Sequence, residues 1–373
     1  MKSNERWDYL RRAPKVSWDI LFRGRYDFSY DLMPIHTSRI PMQKRVNLLK
    51  TGANLIYRRP HAWGWPVHMH VELTNYCNLK CKVCPTGTGK LNRQRAEMQP
   101  ALFERLMNEV GPYLLTLSLW GWGESLLHPQ LADMLRITQN RGVITFLSTN
   151  GQNLDDSRVL QALINYPPTY LIVSIDGLTD ETNSLLQVGT KIAPVLNGIQ
   201  RLARMKRQKG SQLPILHLRY IVIRHNEHEI PQLPKFATEQ GFDLLTTRAL
   251  CSIVTPNDTY QDLEPKDEKL KAYGYINNQR IRRTDFICEK PFTYPAVFAD
   301  GTVVACEQDF NAQQPCGSLA EGFSFSKIWW SKKAAEIRKT IRDHPDEFSY
   351  CKNCPFKDMP ISTCSIQYFD LHK

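Results

Sequence analysis

Cys77, Cys81 and Cys84 stand in the spacing C-x3-C-x2-C within Glu72-Leu-Thr-Asn-Tyr-Cys-Asn-Leu-Lys-Cys-Lys-Val-Cys-Pro85. Three thiolates this close can hold three irons of a four-iron cluster, where four cysteines would normally close the site, and the fourth iron is left open for chemistry. A zinc knuckle uses paired C-x2-C units and a fourth ligand nearby. No Cys or His lies between Cys84 and His128. The apolar run Val67–Leu73 before the cysteines reads as a strand, and Asn75 and Asn78 favour a turn.

From Val67 onward strand and helix patterns alternate. Strands are expected at Val67–Leu73, Leu114–Trp120, Val143–Thr149, Tyr170–Asp176, Ile215–Val222 and Phe242–Arg248. Helices are expected at Ala101–Val110, Gln130–Arg141, Asp155–Asn165, Ile192–Gln208 and Glu229–Gln240, where apolar residues recur at three- and four-residue spacing. Such alternation argues for an α/β fold with a parallel sheet covered by helices. Six repeats are fewer than the eight of a closed TIM barrel.

The cysteine spacing and its flanks resemble the signature of the radical S-adenosylmethionine (SAM) superfamily. The resemblance implies a partial (β/α)6 TIM-like barrel whose cluster loop follows the first strand, and a [4Fe-4S] cluster held by Cys77, Cys81 and Cys84. In that family the open iron chelates SAM, whose reductive cleavage gives a 5'-deoxyadenosyl radical. Gly121-Trp-Gly-Glu-Ser-Leu-Leu-His-Pro129 is similar to the family's glycine-rich segment, which implies that Gly123 and Glu124 surround SAM. Ser148-Thr-Asn-Gly151 and Ser174-Ile-Asp-Gly177 resemble segments around the SAM ribose and methionine, and imply Ser148, Asn150, Ser174 and Asp176. Arg224-His-Asn-Glu-His-Glu229 resembles the family's N-x-x-E and brings in Asn226. Each short segment also suits a turn or a helix cap. Many relatives carry an Arg near the position of Gln187; here Arg219, on the fifth strand, is the replacement candidate for a contact to SAM or substrate.

A second cysteine group follows. Cys288, Gly301 and Cys306 give C-x12-G-x4-C, and Cys351, Cys354 and Cys364 come after. Val297-Phe-Ala-Asp-Gly-Thr-Val-Val-Ala-Cys306 reads as a hairpin with an Asp-Gly turn. This resembles the SPASM domain, a cysteine-rich extension that carries auxiliary clusters, in a reduced, twitch-like form. Cys288, Cys306, Cys351 and Cys354 suffice to close one auxiliary [4Fe-4S] cluster, and Cys316 and Cys364 are candidates for a second, incomplete one. A zinc ribbon is the structural alternative. Cys251, beyond the sixth strand and outside both groups, is a candidate hydrogen-atom donor or a small buried hydrophobe.

The charge is concentrated at the start. Residues 1–70 contain thirteen Lys or Arg against five acids, a net +8 of the chain's +11. Trp7, Tyr9, Trp18, Phe22, Tyr26, Phe28 and Tyr30 interleave with those cations, a mixture that suits peripheral contact with an anionic membrane or a lead-in that wraps the barrel. Nucleic acid is not an expected partner. No run of about 18 apolar residues occurs, and the first residues lack a secretory apolar stretch. Clustered cysteines without an export signal fit a reducing cytoplasm, with the membrane surface as the alternative. The organisation read here is an extension at 1–66, a barrel at 67–250, a linker at 251–284 and a cluster domain at 285–373.

These features predict a radical SAM oxidoreductase that abstracts hydrogen from a small molecule such as a sugar or cyclitol derivative. A flavodoxin or ferredoxin would supply the electron. Epimerisation or peptide modification is the alternative within the class; an iron–sulfur carrier or a zinc-stapled binding module is the alternative outside it.

Overall fold

A computed structural model describes residues 3–251, 260–276, 279–281, 286, 288–359 and 363–373. Six parallel strands form its centre: β1 (His68–Val71), β2 (Thr116–Leu119), β3 (Ile144–Thr149), β4 (Tyr170–Ser174), β5 (Ile215–Val222) and β6 (Leu244–Ala249), paired in sequence order. Each expected strand is present: β5 has the expected bounds, β1 to β4 are trimmed at one or both ends, and β6 starts two residues later and ends one residue later than expected.

Along each strand successive side chains point to opposite faces. Met69, Val71, Leu117, Leu147, Leu171, Val173, Leu216 and Leu218 face outward into the main core, against the helices. The helix Pro100–Val110 shows why those segments fold as they do. Proline occupies its first turn, where a missing N–H costs nothing, and Phe103, Leu106, Met107 and Val110 form one buried stripe at helical spacing. Asp156 caps the helix Ser157–Asn165 by accepting from the Arg158 N–H at 2.8 Å.

The opposite strand face lines the barrel interior, and here the structure departs from the expectation of a lead-in wrapped outside. Tyr26–Tyr30 and Met33–Thr37 form an antiparallel hairpin that inserts into the barrel. Met33 and Ile35 are buried against Phe146, Ile172 and Leu244, and Tyr30 stacks on Phe146 with ring centroids 4.2 Å apart. Phe28 lies near His68, at the start of β1, while Tyr30 reaches Trp120, past the end of β2. The hairpin therefore enters from the amino ends of the strands and forms a floor under their carboxyl ends. Its tip, Asp31 and Leu32, has φ of 49° and 62°, the left-handed pair that a two-residue hairpin turn requires.

The C-terminal region extends the same sheet rather than standing apart. Ala296–Val297 pairs parallel with β1, then antiparallel with Thr302–Val304, across the expected Asp300-Gly301 turn. Pro315–Ser318 pairs antiparallel with Thr302–Val304, and Ser365–Asp370 with β6 at the other edge, so the sheet has ten strands among the described residues. The 251–284 linker lies partly outside the described residues.

Candidate active site

The loop after β1 carries Cys77, Cys81 and Cys84, and the residues around it fix its path. The Thr74 hydroxyl donates to the Glu124 carbonyl at 2.9 Å, and the Glu124 N–H donates to the Tyr76 carbonyl at 2.8 Å. A Cβ at Gly123 would lie 2.3 Å from the Thr74 oxygen, and one at Gly87 would lie 2.3 Å from the Cys81 oxygen. Only glycine permits backbones to approach so closely.

Glu72 ties this loop to the rest of the site. Its carboxylate takes both arms of Arg93 at 2.8 Å and also accepts from the Trp122 N–H at 3.0 Å and the Ala299 N–H at 3.1 Å. One buried group thus joins the cysteine loop, the glycine-rich loop and the C-terminal hairpin. Removing one partner of such a pair strands the other charge, at a cost of about 3–5 kcal/mol.

The three sulfurs sense one another: Cys84 and Cys77 both act on Cys81, and Cys84 acts on Cys77. Burial pushes Cys77 up to about 11, opposed by the Leu79 N–H at 3.4 Å and the Asn150 amide at 3.5 Å from its sulfur. Burial also raises Cys81. A bound metal reverses this penalty by holding the thiolate outright. Among the described residues no group of three or more Cys, His, Asp or Glu is close enough to grip a single metal ion. In a four-iron cluster each thiolate holds its own iron. The loop's donor set fits a cluster with one iron free.

The strand-end residues differ in what they offer. The Glu124 carboxylate, fully enclosed, accepts from the Leu126 N–H, the Thr149 hydroxyl and the Asn150 N–H at 2.7–2.9 Å. Burial raises its pKa, and those three donors oppose the rise. It braces the loops around the cysteines, and three of its four lone-pair positions are filled by protein. Asp176, raised to about 6 by burial, accepts from the Ile221 N–H at 2.8 Å and the Gln187 amide at 2.7 Å. Asn226 donates to the carbonyls of Asp176 and Ile221 and accepts from the Ile223 N–H, at 2.7–2.9 Å. With no exposed surface, it clamps the loops after β4 and β5. Ser148, Asn150 and Ser174 are half-buried.

Arg219 is where the sequence reading and the geometry part. Its guanidinium pairs with Asp31 at the hairpin tip, and both are nine-tenths buried. Arg248 lies 3.5 Å from the other Asp31 oxygen. Sequence spacing gave no sign of Asp31, because its partners lie nearly 190 and more than 210 residues away. Gln187 donates to Asp176.

The second cysteine group also assembles. Cys354 acts on Cys288, while Cys288 and Cys354 act on both Cys306 and Cys351. Burial raises all four thiols. Lys290 pairs with Glu307 beside them, and its ammonium lies 4.2 Å from the centre of the Phe356 ring. Cys316, like Cys288 and Cys351, packs against the apolar cluster of Ala305, Ile337 and Ile341. Cys364 lies elsewhere, against Cys251 and Arg248. Cys316 and Cys364 are therefore not brought together, and Cys251 is not alone. All ten cysteines are free thiols.

A partial parallel barrel with a three-thiolate loop at the carboxyl end of its first strand, and four more thiolates grouped beyond its last helix, defines an iron–sulfur enzyme built for radical chemistry. The chain holds a radical SAM domain and a SPASM domain: residues 71–237 match the Radical SAM superfamily model, and residues 288–355 match that of the iron-sulfur cluster-binding SPASM domain. Its cofactors are a SAM-binding [4Fe-4S] cluster and at least one auxiliary cluster. The tungsten-containing aldehyde ferredoxin oxidoreductase cofactor-modifying protein of Pyrococcus furiosus is 24% identical over 78% of this chain and 88% of its own length. Mycofactocin maturase MftC of Mycobacterium ulcerans is 22% identical over 84% and 87%. Streptococcus suis SuiB bound to its precursor peptide SuiA shares the fold, with a TM-score of 0.60 at 14% identity over 96% of this chain and 88% of that one. No helix among the described residues is long and apolar enough to cross a membrane.

Proposed function

We propose that this enzyme is a maturase, cleaving SAM reductively and abstracting hydrogen from a carbon of a precursor peptide or cofactor. The observation that carries this reading is the match of two curated relatives, named for cofactor modification and for maturation, over more than three quarters of both chains. It is favoured over oxidation of a free sugar or cyclitol. The position of the hairpin floor supports it as well, because a substrate meets the radical at the open rim, where an extended chain can lie across the strand ends.

In this reading Cys77, Cys81 and Cys84 hold the SAM cluster, and Cys288, Cys306, Cys351 and Cys354 hold the auxiliary one. The first supplies the 5'-deoxyadenosyl radical when SAM and an electron from a flavodoxin or ferredoxin arrive. The protein supplies placement: Gly123 keeps the glycine-rich loop against the cysteines, Asn150 orients the Cys77 sulfur, and Ser148 and Ser174 present hydroxyls to the ligand. Asp176 and Asn226 hold the rim rigid. Anaerobic protein with SAM and reductant should release 5'-deoxyadenosine faster with small peptides encoded beside its gene than with sugars or cyclitols. The responding peptide should lose two hydrogens or change configuration by mass and chiral analysis. Stimulation by sugars and by no peptide would overturn the reading.

A surface feature supports peripheral membrane contact. Arg11, Lys15, Trp18 and Phe22 fall at four- and three-residue spacing and are all exposed, Trp18 at 56% and Phe22 at 66%. Such a stripe suits the headgroup region, each cation near an anionic surface contributing about 1 kcal/mol. The protein should float with anionic vesicles at low salt and not with neutral ones. Equal recovery with both would reject the contact.

A further inference from the structure

The helix Met42–Tyr57 is built inside out. A surface helix normally turns an apolar stripe to the core and its polar residues to water. Here the residues buried against the barrel are Lys44, Asn47, Leu48, Thr51 and Asn54, four of the five polar. Lys44 donates to the Gly142 carbonyl at 2.6 Å, while Asn47 donates to the Trp65 carbonyl at 3.2 Å and accepts from the Trp65 N–H at 2.8 Å. Hydrogen bonds, rather than an apolar stripe, hold the inner face.

The apolar stripe is turned outward. Met42, Val46 and Tyr57 are 58%, 41% and 57% exposed, and half-buried Leu49 and Ala53 fall between them at three- and four-residue spacing. Both ends of the stripe are extended by aromatic rings. Arg45 donates to the Leu21 carbonyl at 2.8 Å, which ties exposed Trp18 and Phe22 to the start of the helix. The exposed Trp63 ring lies 5.5 Å from that of Tyr57 at its end. No Asp or Glu occurs between Asp31 and Glu72, a stretch that holds Arg39, Lys44, Arg45, Lys50, Arg58 and Arg59. Arg39, Lys50 and Arg59 are exposed. An apolar face rimmed by cations and free of acids suits an anionic lipid surface. A second copy of this chain would instead set like charges against each other.

The inner contacts fix which way this face looks. Leu48 shares an apolar cluster with Val67 and Leu115, which immediately precede β1 and β2, and Gly142 lies just before β3. The helix therefore crosses the amino ends of the strands, and its outer face is turned away from the cysteine loop.

We propose that this outer face seats the enzyme on an anionic membrane: Met42, Val46 and Tyr57, with Trp18, Phe22 and Trp63, enter the headgroup region while the cysteine loop and the barrel rim face solution. This rests on the peripheral contact described above and deepens it, naming the element that enters the lipid and the orientation that results. A soluble precursor reaches the rim of the bound enzyme without passing through lipid.

The test uses anaerobic holoenzyme with vesicles of phosphatidylglycerol or of phosphatidylcholine alone. Met42→Ser/Val46→Ser should bind phosphatidylglycerol vesicles about tenfold more weakly than wild type, as loss of two apolar contacts requires, with iron per chain and melting temperature unchanged. Val188→Ser, a similar change at an exposed site whose carbonyl accepts from the Lys80 N–H of the cysteine loop, should bind as wild type. Dansylalanine at position 46 should shift its emission to the blue on these vesicles and be quenched by brominated lipid, and at position 188 it should stay in water. Flotation retained with the position-46 probe in water would overturn the inference and leave the contact to the stripe from Arg11 to Phe22. No flotation of the wild type would overturn both readings. A lipid-free dimer that Met42→Ser/Val46→Ser dissociates would assign the face to a second copy and overturn the membrane seat.

Discussion

Replacing Cys77, Cys81 and Cys84 together with Ala should abolish SAM cleavage and remove about half of the bound iron, four of roughly eight atoms if both clusters are complete. The expectation rests on chemistry rather than on stability. The three sulfurs sit on a loop whose path is set by Glu72, Gly87 and Gly123, so their loss leaves the barrel intact and deprives the iron of donors. Replacing Cys288, Cys306, Cys351 and Cys354 should remove the other half and leave cleavage measurable, since no thiol of that group belongs to the loop after β1. Iron analysis and 5'-deoxyadenosine release check both variants. Cleavage retained in the first would remove the residue assignment at its root, and stoichiometric zinc at the second site would make it a structural staple.

The barrel and both cysteine groups were legible in the sequence because each rests on local pattern. A strand buried on both faces shows itself as an apolar run such as Leu171–Val173, and a cluster loop shows itself as spacing. The hairpin floor was less visible for a definite reason. Tyr26, Phe28 and Tyr30, then Met33 and Ile35, alternate with Asp27, Ser29, Pro34 and His36, which is the period of a half-buried strand. That signal sits inside a segment dominated by positive charge, and counting charge led to the membrane surface or the barrel's exterior. The roles of Arg219, Arg248 and Cys364 could not be read locally at all. Each is set by contacts across more than 100 residues, and spacing carries no information at that range. Asp176 and Asn226 show a subtler limit: a motif places polar residues at a strand end, but only the geometry shows that their side chains are already engaged by backbone.

Asp31→Asn should cost about 3–5 kcal/mol at neutral pH and free the hairpin from the barrel. Asp31 meets Arg219 and Arg248 in the interior, so its neutralisation leaves two guanidiniums facing each other with no anion between them. Burial alone would raise the Asp31 carboxyl, but Arg219 and then Arg248 outweigh it and hold the group well below the usual carboxylate range. A carboxyl depressed in the folded state contributes its full stability above the unfolded value of about 3.9 and loses it as pH falls through the folded value. The difference between wild type and variant should therefore be constant through neutral pH and shrink only in strong acid. Urea denaturation followed by tryptophan fluorescence measures the loss, and limited proteolysis between residues 24 and 40 reports release of the hairpin. Asp27→Asn is the control, since its pairs with Arg25 at 3.5 Å and His36 at 3.3 Å are solvent-exposed and such pairs contribute about 0–1 kcal/mol. Equal stability of the two variants would mean that the hairpin is held by Met33, Ile35 and Tyr30 alone. Arg248 would then be free to hold Cys364 without Asp31, and the floor of the site would be apolar in its energetics despite the charges buried in it.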